Sequence, residues 1–220
     1  VYYIMKISSE TLNILKSYTS INPSIWVQPG TVIKTISPQK TIVATAEVDD
    51  VFDSSFGIYD LNQLLSVITL FENPEYVFED KSVLIKSAAS SVEYFYTEKQ
   101  MITMPPEKDI SLPDSIIEFK LPVNIIKSTM QAANVLQLPE WSVIGQDGNI
   151  SITVSDTKNN TGNVYRSVVG KTDKTFNIVF KVENLKFMHK DYNVNISSKG
   201  ISHFYTDDNK IQYWIATESR

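Results

Sequence analysis

The sequence predicts an α+β fold of two similar domains, each built from two units in which a short helix is followed by β-strands. Three observations lead to this prediction. Apolar residues recur with helical spacing near positions 10, 60, 125 and 185. Short alternating runs rich in β-branched and aromatic residues follow each of these windows. A segment with three prolines and six charges, 98–115, divides the 220 residues into halves of about 100 residues, a common domain size.

The first unit is predicted from an apolar helix face followed by three strands. Leu12, Leu15 and Tyr18 give the helix face. The predicted strands are 25–27, 31–34 and 41–44.

The second unit has the clearest pattern. Asp60 stands before the helix as an N-cap, with Gln63 three residues later as its capping-box partner. A strand is predicted before the helix at 55–59, and three after it at 76–78, 82–86 and 92–96. The apolar residues at i, i+3, i+4 and i+7 are Leu61, Leu64, Leu65 and Ile68.

The third and fourth units repeat the arrangement. Ile126, Met130 and Ala133 predict the third helix, and Pro122 suits its first turn, where a missing N–H costs nothing. Its strands are predicted at 141–144, 150–154 and 164–169. In the fourth unit, the face of the predicted helix is Val182, Leu185 and Met188. Its strands are predicted at 176–180, 192–196, 201–205 and 211–215. The four units define a first domain over 1–104 and a second over 112–220, with the linker at about 98–115.

Composition excludes several classes of site and protein. Cysteine is absent, so thiolate metal sites, thiol nucleophiles and disulfides are excluded. With 7 glycines, the chain has neither glycine-rich phosphate-loop motif. No run of about 18 apolar residues predicts a membrane span, and we expect a cytosolic protein with no membrane partner.

No residues predict catalysis, a metal site or a cofactor. His189 and His203 lack a second histidine at metal-ligand spacing, and both are interpreted as structural. The pairs Asp49-Asp50 and Asp207-Asp208 are interpreted as solvated turns or element ends rather than acid–base groups. The protein is therefore not expected to be an enzyme, to bind a metal or to need a cofactor.

Charge is distributed unevenly along the chain. The net charge is −5, yet the four helix windows (6–16, 56–70, 116–131 and 180–191) sum to +2 and the remainder to −7. Ordinary solvated helix faces explain this difference. A mildly basic helical surface on an acidic body explains it as well. Such a surface is too weak to hold nucleic acid by counterion release alone, but it suffices for a protein held on DNA by topology.

Several short segments together resemble one family. MKIS at 5–8, IYDLN at 58–62, TFNI at 175–178 and NLKFM at 184–188 are similar to the sliding clamps, or DNA polymerase processivity factors, of myovirus-type tailed bacteriophages. No single segment is diagnostic, but they occur in the right order on the right units. If MKIS at 5–8 corresponds to the family's start, Val1 to Ile4 precede that start. The chain ends at Arg220, slightly earlier than the related sequences.

The resemblance implies a DNA-clamp fold with helices toward the centre of a ring and sheets outside. Two domains per chain imply a homotrimer, as in the proliferating-cell nuclear antigen. The implied partners are duplex DNA, encircled without sequence readout, the replicative DNA polymerase, and an ATP-dependent clamp-loader complex. The implied location is the host cell cytoplasm, within the viral replication machinery.

The resemblance also implies three surfaces. Subunits pair through the last strand of the first domain (Val92, Tyr94 and Tyr96) and the last strand of the third unit (Val164, Arg166 and Val168). The residues expected to face DNA are Lys16, Lys120, Lys127, Lys181, Lys186 and Lys190. The residues expected to form a pocket for partner peptides are Met101, Ile102, Met104, Pro105, Trp214, Ile215 and Ala216. For each pocket residue, the alternative is that it seals the domain junction.

Two other functions remain open from the residues alone. One is a non-enzymatic, β-rich structural or adaptor protein of a virion, built from the same units but never encircling DNA. The other is a hydrolase whose site has no recognisable motif. A closed trimer separates the clamp from a virion protein, which would copurify with particles.

Overall fold

The chain forms two compact units, Val1–Glu107 (unit 1) and Lys108–Arg220 (unit 2). A computed structural model describes residues 2–159 and 161–218. Val1 and Arg220, which bear on the expected ends of the chain, lie outside the described residues.

Unit 1 is an antiparallel β structure with two helices. Its elements in chain order are β1 (Tyr3–Met5), α1 (Ser9–Tyr18), β2 (Ile25–Val27), β3 (Gly30–Ile36), β4 (Ile42–Phe52), β5 (Phe56–Ile58), α2 (Leu61–Ile68), β6 (Glu75–Phe78), β7 (Ser82–Ser87) and β8 (Ser90–Phe95). One sheet has the order β1-β6-β7-β8, while β2 pairs with β5 and β3 pairs with β4. β1 includes Tyr3 and Ile4, so these residues belong to the folded unit.

Unit 2 has one helix and two antiparallel sets of strands among the described residues. Its elements are β9 (Ile117–Leu121), α3 (Val123–Leu136), β10 (Glu140–Gln146), β11 (Asn149–Ser155), β12 (Tyr165–Lys171), β13 (Phe176–Lys181), β14 (Tyr192–Ile196), β15 (Ile201–Tyr205) and β16 (Ile211–Ala216). One set has the order β12-β11-β10-β13, and β9, β14, β15 and β16 are neighbours in the other. All of the predicted strands are present, and most of their ends shift by one or two residues. However, β4 continues to Phe52, well beyond its predicted end at 44, and β1 and β9 were not predicted.

Side-chain caps start both helices of unit 1. The Ser8 side chain accepts a hydrogen bond from the Thr11 N–H at the start of α1. The Asp60 side chain accepts one from the Gln63 N–H at 2.9 Å, which confirms the predicted cap of α2. The Gln63 side chain itself accepts from the Tyr94 hydroxyl at 3.0 Å. Polar contacts thus join strand β8 to the first turn of helix α2.

Each helix buries one stripe against the strands. The buried residues are Thr11, Ile14, Leu15 and Tyr18 in α1, Leu61, Leu64 and Ile68 in α2, and Ile126, Thr129 and Ala133 in α3. Leu12, Leu65 and Met130, predicted on these faces, are only half-buried. They lie at the margins of the stripes.

Trp141 lies at the centre of the core of unit 2. Its ring is fully buried and meets Phe180 edge-on at a centroid distance of 5.6 Å. Its indole N–H donates to the Thr129 hydroxyl of α3 at 3.0 Å, and that hydroxyl donates to the Ile125 carbonyl at 2.7 Å. The helix and sheet are therefore joined by a hydrogen bond within an otherwise apolar core.

The fourth predicted helix is wrong. The structure has only a 3-10 turn, Val182–Asn184, followed by an irregular segment up to β14. Leu185 and Phe187 are both buried, with exposed Lys186 between them. Residues two apart point to different sides of a helix, so a helix here would expose one of the two apolar side chains.

Tyrosine hydroxyls bind the backbone of this irregular segment. The Met188 N–H donates to the Tyr213 hydroxyl oxygen at 3.2 Å, and the Tyr192 hydroxyl donates to the Met188 carbonyl at 2.6 Å. Phe187 stacks on Phe204 at 5.3 Å between centroids. These contacts satisfy the polar groups and bury the apolar ones without a helix.

Asp49 and Asp50 lie within strand β4 and not in a turn, so that interpretation is wrong. The Asp50 carboxylate accepts hydrogen bonds from the Ser8 N–H and hydroxyl and from the Thr11 hydroxyl, which ties β4 to the start of α1. Asp207 and Asp208 do lie in the turn between β15 and β16, as predicted.

The described residues contain neither a membrane-spanning helix nor a cluster of metal-ligating side chains. In residues 2–159 and 161–218, no helix is long and apolar enough to cross a membrane. The same residues contain no group of three or more histidine, aspartate or glutamate side chains able to hold a metal ion.

Candidate functional site

Two of the six lysines expected to face DNA lie on helices. Lys16 is in the last turn of α1, and Lys127 is in the second turn of α3; both are exposed. Both side chains lie on the surface opposite the buried stripes. These two positions agree with the expectation that helices carry the positive charge.

The other four lysines lie outside helices. Lys120 is on strand β9, and Lys181 ends β13, where its Nζ is 3.7 Å from a Glu218 carboxylate oxygen. Lys186 and Lys190 are exposed in the segment after the 3-10 turn. The window 180–191 therefore does not present its charges from a helix as expected, for the reason given by Leu185 and Phe187 above.

The three helices carry little charge of either sign. α1 contains Glu10 and Lys16, α2 contains no charged residue, and α3 contains only Lys127. Most other exposed positions carry neutral polar side chains such as Asn13, Asn124 and Gln131, although Val135 of α3 is also exposed. The helix surfaces are therefore slightly positive and rich in amides and hydroxyls.

The strands expected to join subunits are each at the edge of a sheet. β8 pairs with β7 alone and β12 with β11 alone among the described residues. Val164, just before β12, and Val168 on it are 57% and 59% exposed, and Arg166 between them is also exposed. Apolar side chains next to an open strand edge favour pairing with another chain.

Tyr94 on β8 and Tyr96 just after it make contacts within their own unit. The Tyr94 hydroxyl donates to the Asp60 carbonyl at 3.0 Å and lies the same distance from the Gln63 side-chain oxygen. The Tyr96 ring stacks on Phe56 at 5.3 Å. Burial raises the pKa of Tyr94, so its hydroxyl stays protonated at neutral pH. These two side chains, with half-buried Val92, face the helix side of the sheet.

The linker residues expected to receive partner peptides begin on a well-anchored segment. The Thr97 N–H donates to the Gly57 carbonyl at 2.9 Å. A Cβ on Gly57 would lie 2.6 Å from the Thr97 carbonyl oxygen and 3.0 Å from the Ile102 side chain, so only glycine allows this close approach. Ile102 is buried there, whereas Met101 beside it is 58% exposed. Met104 and Pro105 follow and are half-buried.

The remaining expected docking residues are on β16 of unit 2. Ile215 is fully buried in the core of that unit, while Trp214 and Ala216 lie on the opposite, half-buried face. Ile102 and Ile215 are therefore core residues of their own units, whereas the other expected docking residues are exposed or half-buried.

A stack of three rings that includes Trp214 was not predicted from the sequence. His203 lies parallel to Trp214 at a centroid distance of 4.6 Å and stacks on Tyr205 at the same distance. A His203 ring nitrogen is 2.8 Å from the Gln212 side-chain oxygen. Burial lowers the pKa of His203 below its ordinary value of 6.5. Alternation along β15 placed His203 and Tyr205 on one face, but the stack depends on the register with β16, which the sequence does not reveal.

The Trp214 indole N–H is buried and has no hydrogen-bond partner among residues 2–159 and 161–218. Buried indole N–H groups are normally paired.

Curated relatives decide the family. The sliding clamp of Vibrio phage KVP40 is 30% identical over 223 aligned residues, which cover 98% of this chain and 100% of the relative. The chain belongs to the sliding-clamp family. The clamps of Escherichia phage RB69 and Enterobacteria phage T4 are each 26% identical and are covered over 97% and 89% of their lengths.

Family profiles match the two units of this clamp in order. The DNA polymerase processivity factor family matches residues 8–104, and the family described as gp45 sliding clamp, C terminal, matches residues 118–219. The chain is therefore a phage sliding clamp and a DNA polymerase processivity factor, as the resemblance implied.

Solved structures agree with the clamp fold. The proliferating cell nuclear antigen of A. fulgidus, solved with the C-terminal region of FEN-1, has a TM-score of 0.71 at 11% identity, with 100% of this chain and 98% of that chain covered. The DNA polymerase III subunit beta of Bartonella birtlesii has a TM-score of 0.72 at 7% identity, with 100% and 65% covered. At such identities the likeness concerns the fold alone.

Proposed function

We propose that this clamp closes as a homotrimer around duplex DNA and tethers the replicative DNA polymerase, without catalysing a reaction itself. The observation that carries the proposal is the 30% identity to a phage sliding clamp along 98% of the chain. The open edges of β8 and β12 support it, because two different edges on one chain allow head-to-tail assembly.

DNA is held by topology with weak electrostatic help. The helices contribute Lys16 and Lys127 against a single acidic residue, Glu10. Six lysines of this kind in a trimer attract phosphates, yet each phosphate contact adds only part of a binding free energy. Lys120, Lys181, Lys186 and Lys190 add positive charge outside the helices. A ring with this weak attraction slides along duplex DNA without reading bases.

Partner peptides dock on Met101, Met104 and Pro105 of unit 1 and on Trp214 and Ala216 of unit 2. The structure of the A. fulgidus antigen with the C-terminal region of FEN-1 is a precedent for peptide docking on a clamp. Exposed Met101 offers a flexible thioether that adapts to different apolar side chains. The polymerase and the clamp loader are the proposed partners.

The clamp acts in the host cytoplasm as part of the viral replication machinery, and an ATP-dependent loader opens and closes it. Relatives from three phages support this setting.

Solution mass and primer extension test the proposal together. Three chains of 24.9 kDa predict a particle of about 75 kDa by light scattering. On primed circular DNA, the clamp should lengthen the polymerase's products only when loader and ATP are both present. On linear DNA with open ends the effect should be smaller, because a topological ring slides off.

A monomer that gives no stimulation on circular DNA would refute the proposal. Copurification with virions, together with absence from replication complexes, would instead favour the structural or adaptor function.

A further inference from the structure

At the free edge of β8, the same alternate residues expose both their backbone hydrogen-bonding groups and their side chains. The Tyr96 N–H donates to the Lys81 carbonyl on the β7 side. Since hydrogen bonding alternates along an antiparallel strand, the backbone groups of Ser91, Glu93 and Phe95 point to the opposite, open edge. The side chains of the same three residues are exposed, and Phe95 is exposed by 65%. This aromatic ring has no evident purpose within its own unit.

Strand β12 offers a matching row. Val164, just before the strand, and Arg166 and Val168 within it are exposed, while Tyr165 and Ser167 between them are half-buried. In chain order, the exposed side chains at β12 are apolar, positively charged and apolar. The exposed side chains on β8 are, in chain order, a hydroxyl, a carboxylate and an aromatic ring.

We propose that β8 of one copy pairs antiparallel with β12 of the next copy in the register that sets Glu93 opposite Arg166. The inference rests on the proposed head-to-tail ring and specifies how it closes. In this register Phe95 lies opposite Val164, and Ser91 lies opposite Val168. On the other face of the pair, Tyr94 meets Tyr165 of the partner subunit.

Other registers match the two rows less well. A shift of two residues sets Phe95 against Arg166 and Glu93 against Val168, which leaves a carboxylate facing an apolar side chain. A shift of one residue sets exposed residues against the half-buried face, because side chains alternate with a period of two. Directly opposed side chains interact most strongly in antiparallel pairs, so the charge pair and the apolar pair both favour the proposed register.

Contacts within each unit hold the two charged side chains beside their strands. The Ser82 hydroxyl donates to a Glu93 carboxylate oxygen at 2.9 Å. The Arg166 Nε–H donates to the Thr153 hydroxyl oxygen at 3.3 Å. Each side chain is thus oriented before the subunits meet, which lowers the entropy lost on pairing.

Disulfide trapping tests the register directly, because the chain has no cysteine. Opposed residues in an antiparallel pair have Cα atoms about 5.5 Å apart or less, within the range a disulfide spans. The double variant Phe95→Cys/Val164→Cys should oxidise to covalent dimers and trimers on a non-reducing gel. The matched variant Phe95→Cys/Val168→Cys should not, and neither should the single variants. Stronger trapping through position 168 would overturn the antiparallel register, as would no trapping in either double variant.

Charge reversal gives an independent readout. Glu93→Arg or Arg166→Glu alone should weaken trimerisation about tenfold, because each reversal replaces an attraction by a like-charge contact. The combined reversal should restore wild-type assembly, and Glu72→Arg on an exposed loop should have no effect. Single reversals without effect, or a double variant no better than the singles, would refute the pair. If the wild-type protein is trimeric and these tests fail, only the register is wrong; a monomeric wild type would refute the proposed ring itself.

Discussion

At the scale of single residues, the hydrogen bond between Trp141 and Thr129 joins α3 to the sheet within the core of unit 2. Thr129→Val keeps the shape of the side chain but removes the hydroxyl that accepts the indole N–H. An unpaired buried donor costs about 1–3 kcal/mol, so the free energy of unfolding should fall by this amount in a urea titration. Protein concentration must be held constant, because assembly shifts apparent stability.

Thr129→Ser is the matched control for this bond. It keeps the acceptor and loses one methyl group, which costs about 1 kcal/mol. The indole N–H resonance of Trp141 should therefore stay protected from exchange in the serine variant and lose protection in the valine variant. Equal protection in both would show that the hydrogen bond contributes little.

His203 predicts a pH dependence of stability. Its folded pKa lies below 6.5 because burial disfavours the charged ring. Between that folded pKa and 6.5 the unfolded chain binds more protons, so stability should rise with pH through this window and be lost as pH falls through it. Unfolding titrations between about pH 5 and pH 7.5 measure the slope. His203→Gln should flatten it, while His189→Gln, at the exposed histidine, should leave the contribution of His203 unchanged. A slope unaffected by His203→Gln would contradict this assignment.

At the scale of elements, α3 shows a helix whose cap comes from a distant segment. Pro122 occupies the N-cap position and provides no side-chain hydrogen bond. The Asp191 carboxylate instead accepts from the Val123 N–H at 2.7 Å. The cap also places a negative charge at the positive end of the helix dipole.

Asp191→Ala should lower the free energy of unfolding by about 1 kcal/mol, the usual cost of losing a cap. Hydrogen exchange should show the loss first at the N-terminal amides of α3. Asp191→Asn keeps an acceptor oxygen and should lose only the charge effect. If both variants match the wild type, the bond does not stabilise the helix.

The fourth predicted helix shows how tertiary contacts override local periodicity. Val182, Leu185 and Met188 have helical spacing, yet burying Leu185 and Phe187 together requires an extended backbone. The core of unit 2 supplies ring partners for Phe187, and two tyrosine hydroxyls bind the Met188 backbone. Three apolar positions with helical spacing were too weak a signal against these contacts.

At the scale of the whole molecule, the lysines on the helices should influence loading more than retention. Lys16→Ala combined with Lys127→Ala removes both helix lysines in each subunit. Loading onto primed circular DNA should slow by up to about tenfold and depend less on ionic strength, because long-range attraction is screened by salt. Rates measured from low to physiological salt give this slope.

The matched control is Lys108→Ala with Lys158→Ala, which removes two exposed lysines outside the helices. It changes net charge equally and should leave loading unchanged. Equal slowing by both double variants would mean that overall charge matters and the helix positions do not.

The proposed docking residues can be tested with substitutions that are not expected to dissociate the trimer. Met104→Asp and Ala216→Asp each place a charge on a half-buried surface where an apolar peptide is proposed to bind. Stimulation of the polymerase should be lost, while the particle mass stays at that of the wild type. Thr103→Asp, at an exposed neighbouring position, serves as the control. Full stimulation by both test variants would place the docking surface elsewhere.

The sequence by itself determined the α+β class, three of the helices and most of the strands, although β1 and β9 were not predicted. Periods of two and of about four residues report which side of an element is buried, and that information is local. It also carried the family resemblance, which the 30% identical relative confirms. The Asp60 cap was predictable for the same reason, since donor and acceptor are three residues apart.

Only the tertiary structure decided the contacts between residues far apart in the chain. Asp191 caps a helix 68 residues away, and His203 stacks on Trp214 across two paired strands. The exposed face of β8, which places Glu93 and Phe95 outward and Tyr94 inward, depends on pairing with β7 and on contact with α2. The physical reason is that strand register and packing partners are fixed by the collective burial of many side chains, whereas a sequence window reports one element at a time.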